Sequence, residues 1–208
     1  QFEESLSILL DFVRRPYFTK ESVQKEQGII GQEIRMYDDS GDWRVLFNLL
    51  GALYEKHPVR IDIAGTVESI AKIDHELLYR CYRTFYNLNN MVLCIAGNFE
   101  IETVLRVADK VLKPDEKPVE IERKQAEDSE NVYKKLVEQK LSVATPLFNL
   151  GFKGISEGVT QNLKNQVLDE ILCEIIAGEM TPLYRRMYDA GMINATFGSE
   201  IMAGRDYM

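Results

Sequence analysis

Histidine is scarce in this sequence: 208 residues hold only two, His57 and His75. Neither stands in H-E-x-x-H or H-x-x-E-H, and no cysteine pair has zinc-finger spacing, so no complete zinc-site motif is present. G-x-S-x-G and the P-loop are missing too, which removes the commonest serine-hydrolase and nucleotide signatures. The three cysteines, Cys81, Cys94 and Cys173, are far apart and odd in number, which argues against a disulfide framework. Set in apolar runs such as MVLCIAG and EILCEII, they are expected to be buried thiols of a reducing, cytoplasmic compartment. No apolar run approaches the roughly 20 residues that a spanning helix needs, and no signal peptide opens the sequence, so no membrane is expected. Basic charge is short as well: 25 Lys and Arg against 33 Asp and Glu give a net charge of -8. With no basic block, nucleic acid is not an expected partner, whereas basic peptides suit an acidic surface.

What is there suffices for a packed core. The chain is 45% hydrophobic and 28% charged, the profile of an ordinary globular protein. It opens without an initiator Met and directly inside an amphipathic pattern, so it is expected to be part of something longer. Helical spacing predicts helices over 1–15, 20–38, 43–54, 74–86, 101–112, 163–177 and 182–190. Thr19, Thr66 and Asp74 stand where N-caps belong, and Pro182 at a first helical position. Met91 to Gly97, Val132 to Leu141, Leu147 to Lys153 and Asn194 to Met202 read as strands. Residues 113–131 lose apolar content and gain Pro and charge, as a solvated linker does. The division expected is therefore 1–112, a linker 113–131, and 132–208.

The stretch TKESVQKEQGIIGQEIRMYDDS, Thr19 to Ser40, carries the candidate site. At about 100° per residue, Val23, Ile30, Ile34 and Tyr37 share an apolar face, and Glu26 and Glu33 are expected on it. Seven positions apart, the two carboxylates would sit roughly 10.5 Å apart along the axis. Burying an unpaired carboxylate costs several kcal/mol, so a cation should meet them. Lys or Arg from a neighbouring element would serve, as would water at the edge of the stripe. A metal ion would also serve, and spacing alone leaves these open. Gly28 and Gly31 point away from the two acids and are expected to allow close packing, since each costs up to about 1 kcal/mol in a helix relative to Ala. His57, before a proline, reads as a turn residue, and His75, beside a helix cap, as solvent-facing.

FTKESVQKEQGIIGQEIRMYDD, followed by HPVRIDIAGTVESI and then FYNLNNMVLCIAGNFE, resembles the M16 (pitrilysin, insulin-degrading enzyme) family of zinc metallopeptidases, most closely its bacterial YmfH-like branch. The likeness runs from about Leu9 to Met208, with separated blocks in the family's order. It implies an α+β fold in M16-like (LuxS/MPP-like) lobes, antiparallel-rich sheets covered by helices, truncated at both ends. The function implied is hydrolysis of peptides in an enclosed chamber by a zinc endopeptidase. Carried over, Glu33 matches the distal zinc ligand and Glu26 the supporting catalytic carboxylate. The family's H-x-x-E-H is expected ahead of Gln1. With one carboxylate in place of about three protein ligands, the isolated chain is expected to be inactive.

PLYRRMYDAGMINATF resembles the block in which family members place an Arg and, seven positions on, a Tyr that help bind substrate. Here Met187 and Asn194 occupy those places, with Arg185 and Arg186 just before. The resemblance therefore implies a metal-bearing chain whose homologous M16 partner, in a homo- or heterodimer, supplies the Arg and Tyr. A non-catalytic M16-like subunit serving binding or assembly is the alternative.

Overall fold

The computed structural model describes residues 1–113, 117–124, 127–154, 156–204 and 206–207. Its helices are α1 (Phe2–Arg14), α2 (Lys20–Asp38), α3 (Gly41–Leu53), α4 (Val67–Ile70), α5 (His75–Phe85), α6 (Ile101–Val111), α7 (Val159–Ala177) and α8 (Pro182–Asp189). Single 3-10 turns follow α3 at Pro58–Arg60 and α5 at Leu88–Asn90. Local chemistry explains the helix starts. The hydroxyls of Thr19, Thr66 and Thr181 and the carboxylate of Asp74 each accept the amide three residues on, satisfying a donor that the first turn leaves free.

The chain divides into two compact units, Gln1–Ser40 with Ile63–Lys124, and Gly41–Asp62 with Gln125–Met208. In the first, α1 packs on α6: Leu6, Leu10 and Val107 are buried, with Ile95, Val104, Ala108, Val111 and Leu112 against them. Each of the three buried side chains, Leu6, Leu10 and Val107, contributes about 1.5–3 kcal/mol on leaving water. Arg106 closes the rim of this helix pair, its Nη1 and Nη2 donating to the two Glu3 oxygens at 3.0 and 2.5 Å. α5 is tied to the last turn of α1 through Tyr82, whose hydroxyl donates to the Val13 carbonyl at 2.6 Å, and to the chain after α1 through Tyr79, whose hydroxyl accepts from the Phe18 amide at 3.0 Å. In the second unit the core forms on α3, where Leu50, Leu53 and Tyr54 are buried under Leu46, Phe47, Leu49, Val59, Met202 and Tyr207.

The expected α+β fold with antiparallel sheets is overturned: among the described residues there is no strand and no sheet, and the regular structure is helical. A helix closes its hydrogen bonds within its own segment, whereas a strand needs a neighbour in register. The four strand-like runs have no such neighbour among the described residues, and much of their apolar surface stays open, as at Val92 (94% exposed) and Phe152 (84%). At the start of the second run the backbone serves another purpose. The amides of Tyr133 and Lys134 bond to the carbonyls of Leu53 and Ala52, which the end of α3 leaves free.

Candidate functional site

α2 is fixed at both its entry and its middle. At the entry, Thr19 and Ser22 form a reciprocal box: the Ser22 amide donates to Thr19 Oγ1 and the Thr19 amide to Ser22 Oγ, both at 3.0 Å. In the middle, Val23, Gly31 and Ile34 are buried and Gln27 is half-buried among them. The Gln27 side-chain amide donates to the carbonyls of Ile73, at 2.7 Å, and Ile70, at 3.3 Å, which fastens α2 to the end of α4 and the turn after it.

This geometry corrects the expected position of the two acids. Glu26 and Glu33 are exposed. The buried stripe centres between Val23 and Gln27, and at about 100° per residue Glu26 and Glu33 lie roughly 80–100° from that centre, on the flank. Neither makes an ion pair with Lys or Arg among the described residues, so the two carboxylates stand open to water on one edge of the helix, about two turns apart. Gly28 and Gly31 do not mark a close approach either, because a Cβ built on either would meet nothing within 4 Å. The cysteines are not buried: Cys81 and Cys94 are exposed and Cys173 half-buried, all three as free thiols.

Zinc in a catalytic site takes about three protein ligands. Among the described residues no three His, Cys, Asp or Glu side chains are placed to share a metal ion. Glu33 on its own is one oxygen donor and not a site, and no reaction step follows from it. Of the two histidines, His75 is half-buried at the start of α5, and His57 is buried with Nδ1 already accepting the Val59 amide at 3.1 Å. On and after α8, Arg185, Arg186 and Asn194 are exposed and Met187 half-buried. Asn194 Oδ1 is occupied locally, accepting from the Thr196 amide and hydroxyl at 2.9 and 2.6 Å.

The strongest electrostatic feature is one that sequence reasoning missed. Asp128, in the run read as solvated, is half-buried at the end of α3, with its side chain 8% exposed. It accepts three successive amides, Lys56 and His57 at 2.7 Å and Glu55 at 3.4 Å, and the Lys153 ammonium at 3.0 Å. Lys153 also donates to the Ser129 carbonyl and lies 4.5 Å from the centre of the Tyr54 ring. Burial pushes the Asp128 carboxyl up, but the Lys56 and His57 amides, the Lys153 ammonium and the Glu55 amide together outweigh it and hold the group well below the usual carboxylate range. An acid in a charge-rich segment carries no sequence mark of burial, and its partners lie up to 73 residues away.

Similarity to known proteins agrees with the order of the sequence blocks. Residues 72–207 match the Peptidase M16 inactive domain. The chain is 41% identical over 205 residues to the uncharacterized zinc protease YmfH of Bacillus subtilis, covering 97% of this chain and 48% of that protein. It is 24% identical over 106 residues to the probable mitochondrial-processing peptidase subunit beta of Schizosaccharomyces pombe, covering 51% of this chain and 23% of that one. Among solved structures, a putative M16-like peptidase from Alicyclobacillus acidocaldarius superposes with a TM-score of 0.82 at 31% identity, over 100% of this chain and 50% of that one. The chain thus spans about half the length of YmfH and of the Alicyclobacillus acidocaldarius protein. With two thirds of its residues inside the domain match and near-complete coverage by a zinc protease relative, this chain belongs to the M16 peptidase family.

Proposed function

We propose that this chain is the portion of an M16 zinc endopeptidase that does not cleave peptides unaided. The observation that carries the reading is the inactive-domain match over residues 72–207 together with the near-complete match to a relative named as a zinc protease. In this reading Glu33 offers one donor to a zinc site whose other ligands lie outside residues 1–208, and Glu26 supports it from the same edge of the helix. The parent protein hydrolyses peptides in an enclosed chamber, works with a homologous M16 subunit and resides in the cytoplasm. The relative named as a peptidase subunit and the three free thiols support the last two points. The test is a cleavage assay on the purified chain with fluorogenic peptides and added zinc. No turnover is expected, and cleavage abolished by Glu33→Ala would overturn the reading.

A second reading follows from the inactive-domain match alone: a non-catalytic M16-like subunit serving binding or assembly. An intact H-x-x-E-H in the parent protein favours the peptidase, and a parent without one favours the scaffold.

A further inference from the structure

His57 is a buried, titratable side chain that the peptidase reading does not use. It is 5% exposed and packed against the rings of Tyr54 and Tyr207, whose centres lie 5.4 and 5.2 Å from its own and 6.4 Å from each other. Its two nitrogens meet opposite demands. Nδ1 accepts the Val59 amide at 3.1 Å, which caps the turn Pro58–Arg60 and requires Nδ1 to carry no proton. Nε2 lies 3.3 Å from Asp206 Oδ1, near enough for charge attraction but not aligned as a hydrogen bond, so among the described residues it has no hydrogen-bond partner. Close by among the described residues, Asp128 accepts the His57 amide and pairs with Lys153, which lies over Tyr54. Asp206 and Tyr207 are themselves held in place, because Gly204 donates its amide to the Tyr207 carbonyl and accepts from the buried Asn162 side chain at 2.8 Å.

We propose that His57 is a proton-operated switch between the turn at Pro58–Arg60 and the segment at residues 206–207. Neutral, the imidazole caps the turn through Nδ1. Taking up a proton at Nδ1 makes both nitrogens donors, so the Val59 amide faces an N–H and loses its acceptor. The same proton gives the ring a positive charge opposite the Asp206 carboxylate. Protonation therefore uncaps the turn and tightens the hold on residues 206–207.

NMR titration of the whole chain between about pH 5 and 8, the range in which an imidazole changes charge, reads both ends of the switch. The Val59 amide and the Tyr207 ring signals are expected to move with the same midpoint as the His57 ring protons. In Asp206→Asn the Tyr207 response should shrink to what the neighbouring imidazole charge alone gives, while the Val59 response stays in full. In His57→Asn, whose side-chain oxygen can keep the cap without titrating, both should be flat. A Val59 amide that stays still while the imidazole titrates, or an imidazole that does not titrate in this range, overturns the proposal, and the unaltered chain alone decides this if a variant fails to fold.

Discussion

The Lys153 ammonium lies 3.0 Å from the Asp128 carboxylate with both side chains almost out of water, at 7% and 8% exposure. Removing one member of such a pair leaves the other charge buried and unmatched, which costs about 3–5 kcal/mol. Asp128→Ala should lose at least that much, because the amides of Glu55, Lys56 and His57 lose their acceptor too. Urea unfolding of the variant measures it, and a loss under about 1 kcal/mol would show that the pair does not hold the end of α3.

The same carboxylate sets an acid limit. A carboxyl whose folded value is depressed stabilises the fold above its unfolded value, near pH 4, and that contribution is lost as pH falls through the folded value. Stability of the unaltered chain should therefore fall between about pH 4 and the acid extreme. Asp128→Asn, already without the charge, should show a shallower fall. Parallel slopes for the two proteins in pH-dependent denaturation would refute the assignment.

Gln27 is expected to matter more than its exposed neighbours on α2. Gln27→Ala removes two donors from the Ile70 and Ile73 carbonyls, at about 0.5–1.5 kcal/mol each. Hydrogen exchange should show faster opening around α4 and the middle of α2, whereas Glu26→Gln and Glu33→Gln should leave exchange unchanged. Equal protection in Gln27→Ala and the unaltered chain would contradict the clamp.

Thr19→Ala should cost about 1 kcal/mol by releasing the Ser22 amide from its acceptor. Thr19→Ser, which keeps the hydroxyl, should cost much less. Circular dichroism during thermal unfolding separates the two, and indistinguishable midpoints would mean that the box contributes little.

The parts legible in the sequence were those decided within a few residues. Thr19, Thr66 and Asp74 cap helices because a side-chain oxygen and an amide three residues on meet without help from elsewhere. That these runs form no strand among the described residues was not legible, because Met91 to Gly97 or Leu147 to Lys153 can state only that their residues suit a sheet. Whether a neighbouring strand lies beside them is not a local property. The burial of Glu26 and Glu33 was misread for a related reason. Val23, Ile34 and Tyr37 place a face only within several tens of degrees, and the half-buried Gln27 draws its centre away from the acids. Cys81 and Cys94 followed their apolar neighbours in the sequence, yet no second layer covers them among the described residues. Asp128 was hidden altogether, since its segment looks solvated and its partners are distant in the chain.

Zinc stoichiometry tests the central claim most directly. The chain would be loaded with excess zinc, dialysed and measured by elemental mass spectrometry beside Glu33→Ala. Far less than one zinc per chain, with no difference between the two proteins, is the predicted result. One zinc per chain that Glu33→Ala removes would contradict the account, because the chain would then hold a metal site of its own.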